Sequence, residues 1–60
     1  MTTLELQKAL KARGFDPGDI DGAMGRNTIA AIRAFQAANG LDVDGVAGPD
    51  TLAKLAASAV

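Results

Sequence analysis

A motif that occurs twice constrains the fold of this chain more than any other feature. Each copy starts with an Asp-Gly pair, passes through a second glycine and ends at a threonine, over residues 21–28 and 44–51. Glycine tolerates the positive φ of a tight turn, so we expect such φ values at Gly22 and Gly45. The residues expected to build the two turns are Asp21, Gly22, Gly25 and Thr28 in the first and Asp44, Gly45, Gly48 and Thr51 in the second.

The repeat extends beyond the motif itself. When the chain is shifted by the distance from Asp21 to Asp44, further apolar positions coincide: Ile20 with Val43, Ile29 with Leu52, Ala30 with Ala53 and Ile32 with Leu55. The pattern therefore predicts two units, each consisting of a turn, a short bridge and the start of a helix. We call them the first unit and the second unit in chain order.

Helical periodicity marks three segments, at about 3–13, 26–38 and 49–57. Thr2 and Glu5 have the spacing of a capping box at the start of the first helix. Gly14 is placed to end that helix, and Gly40 to end the second. Pro49 suits the first position of the third helix. The final residues of the chain are expected to fray.

Apolar residues recur within these segments at intervals of three and four, which predicts one buried face on each helix. They are Leu4, Leu6, Ala9 and Leu10 in the first, Ile29, Ile32 and Phe35 in the second, and Leu52 and Leu55 in the third. From the loops we expect Ile20, Val43, Met24 and Ala47 to point inward as well. The prediction is an all-α fold with a single domain over residues 1–60.

Composition removes several classes of function. The six Lys and Arg residues are scattered and are balanced by seven Asp and Glu, so no basic stripe is available for nucleic acid. No apolar run approaches the roughly 20 residues that span a bilayer, so we expect no membrane insertion. The N-terminus has neither the basic nor the apolar region of a signal peptide. The absence of cysteine and histidine removes disulfides, common metal ligands and the usual general base.

The aspartates of the two turns raise the possibility of calcium binding. An EF-hand loop has ligands at positions 1, 3 and 5 and a glutamate at position 12. With Asp19 and Asp21 at positions 3 and 5, Pro17 falls at position 1 and Thr28 at position 12, and the second copy fails at the same two positions. We therefore predict no metal and no cofactor, and we interpret Asp21 and Asp44 as Asx turns.

Paired carboxylates also raise the possibility of catalysis, since Asp19 precedes Asp21 and Asp42 precedes Asp44 by the same spacing. Such pairs act in a pocket that separates their pKa values and holds a substrate. Three short helices leave little room for one, and no histidine is present to activate a threonine. We predict that the chain is not an enzyme.

Taken together, the motifs closely resemble those of the peptidoglycan-binding domain family, the PG-binding type 1 modules. The resemblance runs from Leu4 to about Leu55. It rests on both Asp-Gly-x-x-Gly-x-x-Thr loops and on three short runs: Leu6-Gln7, Phe35-Gln36 and Gly40-Leu41. One departure is Met24, where the family usually has phenylalanine.

This resemblance implies a small orthogonal three-helix bundle that carries the two loop–helix repeats. Family members usually accompany wall-degrading or wall-remodelling enzymes such as amidases, muramidases, L,D-transpeptidases and phage endolysins, and hold them on the insoluble polymer. The implied function is a non-catalytic module with peptidoglycan as its partner, acting in the cell wall, the periplasm or outside the cell. We expect a monomer. The alternative is a protein-interaction, assembly or pro-domain module that keeps the fold without binding peptidoglycan.

Candidate ligand residues surround the start of the second helix and the groove beside it: Arg26, Asn27, Arg33, Gln7 and Asp21. Free backbone N–H groups and the helix dipole favour negative groups at such a helix start. Arg26 can hold a carboxylate through two hydrogen bonds. A different interpretation of Gln7, shared with Gln36, is that its amide bonds the loop backbone and joins the helices.

Overall fold

The structure is a computed structural model that describes residues 1–57. It contains three α-helices, α1 (Thr3–Ala12), α2 (Arg26–Ala38) and α3 (Pro49–Ala57), and no strand within that range. The predicted all-α, three-helix fold is confirmed. The end of the domain predicted over 1–60, with the residues expected to fray, lies outside the described residues. No helix in the described part of the chain is long and apolar enough to cross a membrane.

The first helix begins with a capping box. The Thr2 hydroxyl accepts a hydrogen bond from the Glu5 N–H at 3.1 Å, and the Glu5 carboxylate accepts one from the Thr2 N–H at 2.8 Å. These bonds satisfy two N–H groups that have no partner within the helix. They also hold the pKa of Glu5 below its ordinary value.

Both α1 and α2 end in the same hydrogen-bonded motif. After α1, Gly14 has φ +84° and the Phe15 N–H donates to the Leu10 carbonyl at 2.9 Å. After α2, Gly40 has φ +68° and the Leu41 N–H donates to the Gln36 carbonyl at 2.9 Å. This is a Schellman ending, which reverses the chain and directs the next apolar residue back to the core. Phe15 and Leu41 accordingly pack against the core.

Within the part of the chain that the structure describes, six apolar side chains form the buried core: Leu6, Leu10, Ala31, Ile32, Phe35 and Leu55. The ring of Phe15 meets the ring of Phe35 edge to face, with centroids 5.6 Å apart and planes at 87°. Such a pair contributes about 1 kcal/mol to stability beyond the contribution of the apolar area that it buries. The Arg13 guanidinium donates to the Leu55 carbonyl and so ties the end of α1 to α3.

Three side chains predicted to be buried are instead exposed: Leu4 by 39%, Met24 by 47% and Val43 by 52%. Ala47, predicted to point inward, is half-buried and packs against the core. For the loop residues Met24 and Val43, the physical reason lies in what fills the space beneath the turns. Gln7 and Gln36 are 0% and 1% exposed and take the inward positions that the prediction assigned to loop side chains.

Candidate functional site

The amide of Gln7 organises the turn of the first unit. Its Oε1 accepts from the Gly22 N–H at 2.8 Å, while its Nε2 donates to the Ala23 carbonyl at 2.9 Å and to the Thr28 hydroxyl at 3.1 Å. The Nε2 also lies 3.5 Å from Asp21 Oδ1, at the limit of a hydrogen bond. One side chain on α1 thus holds the turn and the first turn of α2 at the same time.

Gln36 makes the same arrangement in the second unit. Its Oε1 accepts from the Gly45 N–H at 3.0 Å, and its Nε2 donates to the Val46 carbonyl at 2.9 Å and to the Thr51 hydroxyl at 3.0 Å. Its contact with Asp44 Oδ1 is 2.8 Å, shorter than the corresponding contact in the first unit. The interpretation of both glutamines as links between helix and loop backbone therefore agrees with the geometry.

The aspartates close both turns from within. Asp21 Oδ1 accepts from the Ala23 N–H and Asp44 Oδ1 from the Val46 N–H, each at 2.9 Å. These are the Asx turns that the sequence predicts, and Gly22 and Gly45 have φ of +79° and +72°. The backbone N–H of Ala23, followed by the Gln7 amide, holds the pKa of Asp21 below its ordinary value, and the Val46 N–H, Gln36 and then Arg33 do so for Asp44.

A shallow cleft, which we call cleft 1, opens between the first turn and the start of α2. Its volume is about 150 Å³ and its lining consists of Pro17, Asp19, Asp21, Ala23, Gly25, Arg26, Asn27 and Thr28. Gly25, the N-cap of α2, supplies no capping side chain, and the first turn of α2 has no acidic residue. The backbone N–H groups at this helix start are therefore left for water or a ligand.

Three polar side chains of cleft 1, those of Asp19, Arg26 and Asn27, make no hydrogen bond within the described part of the chain. Arg26 and Asn27 are exposed, and among residues 1–57 neither side chain makes a hydrogen bond or an ion pair. The carboxylates of Asp19 and Asp21 line the same cleft. Cleft 1 thus presents donors of hydrogen bonds beside acceptors, which suits a ligand that carries both kinds of group.

A second cleft, cleft 2, occupies the corresponding place in the second unit. Its volume is about 140 Å³, and its lining consists of Gln36, Leu41, Asp42, Asp44, Val46, Gly48, Pro49, Asp50 and Thr51. Three of these residues are aspartates and none is basic. Pro49 has no N–H to offer at the helix start, and Asp50 places a carboxylate in the first turn of α3. Cleft 2 is therefore an acidic counterpart of cleft 1.

The structure brings together three of the five predicted ligand residues. Arg26, Asn27 and Asp21 line cleft 1. Gln7 lies beneath the cleft with no exposed surface and with its amide bonded to the loop, so it cannot touch a ligand in this conformation. Arg33 lies about 10 Å further along α2 than Arg26. It packs over the second turn, where its Nε is 2.9 Å from the Cβ position of an alanine at Gly45.

The equivalence of Gln7 and Gln36 is the feature that the repeat analysis missed. The turns superpose at the distance from Asp21 to Asp44, whereas the two glutamines are separated by a longer interval because both the end of α1 and its linker are longer. A search that allowed an insertion between helix and turn would have aligned the glutamine, the helix-ending glycine and the Asp-Gly pair of the two units. These are Gln7, Gly14 and Asp21-Gly22 in the first and Gln36, Gly40 and Asp44-Gly45 in the second. Pro17 was also missed; it is buried, and its carbonyl accepts from the Thr28 hydroxyl at 3.2 Å.

Comparison with known proteins identifies relatives along most of the chain. A family model described as a putative peptidoglycan binding domain matches residues 3–55. A spore cortex-lytic enzyme of Bacillus cereus is 50% identical over 48 residues, which are 80% of this chain and 18% of the relative. An N-acetylmuramoyl-L-alanine amidase of Bacillus licheniformis is 42% identical over 57 residues, covering 85% of this chain and 16% of the relative.

A third relative is a zinc D-Ala-D-Ala carboxypeptidase of Streptomyces albus G, 53% identical over 36 residues, or 60% of this chain and 14% of the relative. The chain spans less than a fifth of the length of each of these relatives. No solved structure matches it.

Proposed function

The chain belongs to the family of putative peptidoglycan-binding domains, and from that membership we propose that it is a non-catalytic module that holds a wall-lytic or wall-remodelling enzyme on peptidoglycan. The relatives are named as a cortex-lytic enzyme, an amidase and a carboxypeptidase, and the matched segment is a small part of each. A tethered module of this kind raises the local concentration of the polymer around its enzyme without taking part in the reaction.

The chemistry of the two turns supports a binding role over a catalytic one. The carboxylates of Asp21 and Asp44 accept backbone N–H groups and have lowered pKa values, so they are ionised at neutral pH and serve the turns. A general acid needs the opposite, a carboxyl that stays protonated near neutral pH. The chain also has no histidine or cysteine.

We place the contact with peptidoglycan at cleft 1. The observation that carries this choice is the start of α2, where the helix lacks a capping side chain and Arg26 and Asn27 are left without partners among the described residues. Asp21 contributes an acceptor at the edge of the cleft. We propose that the module works as a monomer in the cell wall, the periplasm or outside the cell, since one cleft is complete within one chain.

The groups in cleft 1 favour the stem peptide over the glycan strand. A guanidinium pairs best with a carboxylate, and a helix start prefers a negative group. Stem peptides supply carboxylates and amides, whereas the sugars supply hydroxyl and N-acetyl groups. In a titration followed by NMR, muramyl dipeptide should shift the backbone amides of Asn27 and Thr28 more than a neutral N-acetylglucosamine oligomer does. Equal shifts would favour the glycan.

The second unit supplies the substitution that tests the site. Arg26 and Asn27 correspond to Pro49 and Asp50, so the double substitution Arg26→Pro with Asn27→Asp gives α2 the start that α3 already has. Proline and aspartate are both favourable at the start of a helix, so the variant should stay folded. It should lose affinity by about tenfold to a hundredfold, the loss expected when a charged hydrogen bond of about 1.5–3 kcal/mol disappears.

Sedimentation with purified wall sacculi measures this loss. Lys8→Glu is the matched control, because it lowers the net charge by two, as the double variant does, at an exposed residue of α1 that does not line cleft 1. We expect wild type and Lys8→Glu to sediment alike and the double variant to remain in the supernatant. If the double variant sediments with wild type, the site is wrong. If wild type itself stays in the supernatant, the alternative of a protein-interaction or pro-domain module gains support.

A further inference from the structure

Three residues that line cleft 1 are held by one side chain that does not line it. Gln7 bonds the Ala23 carbonyl and the Thr28 hydroxyl, and it lies at hydrogen-bond distance from Asp21. Its carbonyl oxygen also fixes the Gly22 N–H, inside the turn that forms one wall. Gln7 therefore determines where that wall stands relative to the start of α2.

The opposite wall is connected to the same amide through Thr28. The Thr28 hydroxyl accepts from Gln7 Nε2 and donates its own proton to the Pro17 carbonyl at 3.2 Å. A hydroxyl has one proton, so accepting from Gln7 and donating to Pro17 fixes its orientation. Thr28 and Pro17 are both buried, which makes each lost bond costly. Gln7 therefore joins the turn to Thr28 at the start of α2, and the bond to Pro17 holds Thr28 in place.

The second unit offers a natural control for this connection. Gln36 and Thr51 repeat the bonds beneath cleft 2. In the described part of the chain, however, the Thr51 hydroxyl has no counterpart of the bond from Thr28 to Pro17. Gln36 lies near the other end of α2 from cleft 1 and bonds only residues of the second unit, so we expect disturbing it to lower stability without changing cleft 1.

We infer that Gln7 is a positioning residue for ligand binding: through Thr28 it sets the separation of the two walls of cleft 1, without touching the ligand. The inference rests on the proposed function, because it assigns Gln7 a part in binding at cleft 1. If Gln7 only stabilised the fold, replacing it would affect binding no more than replacing Gln36, its counterpart in the second unit.

The test compares Gln7→Met with Gln36→Met. Methionine keeps the length of the side chain and removes its hydrogen bonds, so both variants should lose stability by a similar amount. Circular dichroism identifies a temperature at which nearly all molecules of both variants are folded, and sedimentation with wall sacculi is measured there. We expect Gln7→Met to lose about tenfold in affinity, the effect of misplacing one charge-assisted contact, and Gln36→Met to bind as wild type does.

A second pair of variants carries the test if Gln7→Met does not fold. Thr28→Ser keeps the hydroxyl that joins Gln7 to Pro17. Thr28→Val keeps the shape of the side chain and removes the hydroxyl. Binding should survive in Thr28→Ser and fall in Thr28→Val. The inference is overturned if folded Gln7→Met or Thr28→Val binds as wild type, or if Gln36→Met loses as much as Gln7→Met. A wild-type chain that stays in the supernatant overturns the proposed function, and the inference with it.

Discussion

The two units of this chain are built alike on the inside and differently at the surface. In each, a buried glutamine holds an Asp-Gly turn and the first-turn threonine of the following helix, with matching bonds of 2.8–3.1 Å to the turn backbone and the threonine. At the surface, the first unit has Arg26 and Asn27 where the second has Pro49 and Asp50. The inner bonds serve a requirement that both units share, while the helix starts are free to differ.

This difference explains why cleft 1 is the better candidate for a ligand. A helix start has N–H groups without partners, and they must be bonded by a side chain, by water or by a ligand. In the second unit the start of α3 satisfies itself in part, since Pro49 has no N–H and Asp50 brings a negative charge. In the first unit no side chain of the described residues caps the start of α2, and its first turn has no acidic residue. The second unit thus shows what the first would look like as a purely structural element.

The two units should differ most in the stability lost when the glycine of each Asp-Gly turn is replaced. A Cβ at Gly45 would lie 3.0 Å from Ile29 Cγ2 and 2.9 Å from Arg33 Nε, whereas one at Gly22 would lie 3.8 Å from Leu4 Cβ. Both glycines have positive φ, so each alanine costs about 1 kcal/mol from the backbone alone. Overpacking raises the expected cost of Gly45→Ala to about 3 kcal/mol.

Urea denaturation of Gly22→Ala and Gly45→Ala measures the two costs. Gly48→Ala is the control, because a Cβ there meets nothing within 4 Å and its φ is not in the left-handed region. Equal losses at Gly22 and Gly45 would mean that Ile29 and Arg33 move aside freely and that the second turn is as open as the first.

A smaller difference is expected at the two buried threonines. Thr28→Val removes the acceptor for Gln7 and leaves the Pro17 carbonyl without its partner, while Thr51→Val removes the acceptor for Gln36. We expect a loss in the free energy of unfolding of about 2 kcal/mol for Thr28→Val and about 1 kcal/mol for Thr51→Val. Thermal unfolding of both variants under identical conditions gives the comparison, and a larger loss at Thr51 would contradict it.

The smallest expected effect is a difference in acid stability. Because hydrogen bonds lower the pKa of Asp21 and Asp44 in the folded chain, the stabilisation that they provide is complete above the pKa that these carboxyl groups have in the unfolded chain. It is lost as the pH falls through the folded pKa, since the unfolded chain then binds more protons than the folded chain. Asparagine keeps an acceptor and does not titrate.

Asp44→Asn should therefore reduce the loss in the free energy of unfolding at acidic pH more than Asp21→Asn does. Gln36 lies 2.8 Å from Asp44 and the charge of Arg33 also acts on it, whereas Gln7 lies 3.5 Å from Asp21. The free energy of unfolding, measured from pH 6 down to pH 3 for both variants, makes this comparison. An identical reduction would show that the backbone bonds from Ala23 and Val46 account for the whole effect.

The sequence alone predicts most of the fold because its signals are local. Gly14 and Gly40 mark helix ends, Thr2 and Glu5 mark a helix start, and the predicted helix ends lie within one residue of those in the structure. The interior of the turns is harder, because it depends on contacts between distant residues. Met24 was expected to point inward from its loop. It is exposed instead, because the buried amide of Gln7 fills the space beneath the turn.

The candidate site also combines features that local sequence patterns predict with features that depend on contacts between distant residues. Arg26 and Asn27 can be found from sequence, since a helix start with two polar residues and no acidic cap is a local pattern. The separation of Arg33 from Arg26 follows from helix geometry, since both residues lie in α2. The contact of Arg33 with the second turn depends on where that turn packs, which no local rule gives. The shared role of Gln7 and Gln36 as links to the loop backbone was among the interpretations of the sequence, but the repeat register did not align the two residues, because the first unit has a longer linker.

The glutamine amides recognise main-chain atoms, and this has a consequence for engineering. Gln7 contacts the N–H of Gly22 and the carbonyl of Ala23, and Gln36 contacts the same atoms of Gly45 and Val46, although alanine and valine differ in size. Side chains at Ala23 and Val46 can therefore be exchanged while the hydrogen bonds that hold each turn are kept, whereas Gly22 and Gly45 are required for their positive φ. We expect that the exposed residues at one helix start can be varied to select new binding specificities, with the other unit as an internal reference.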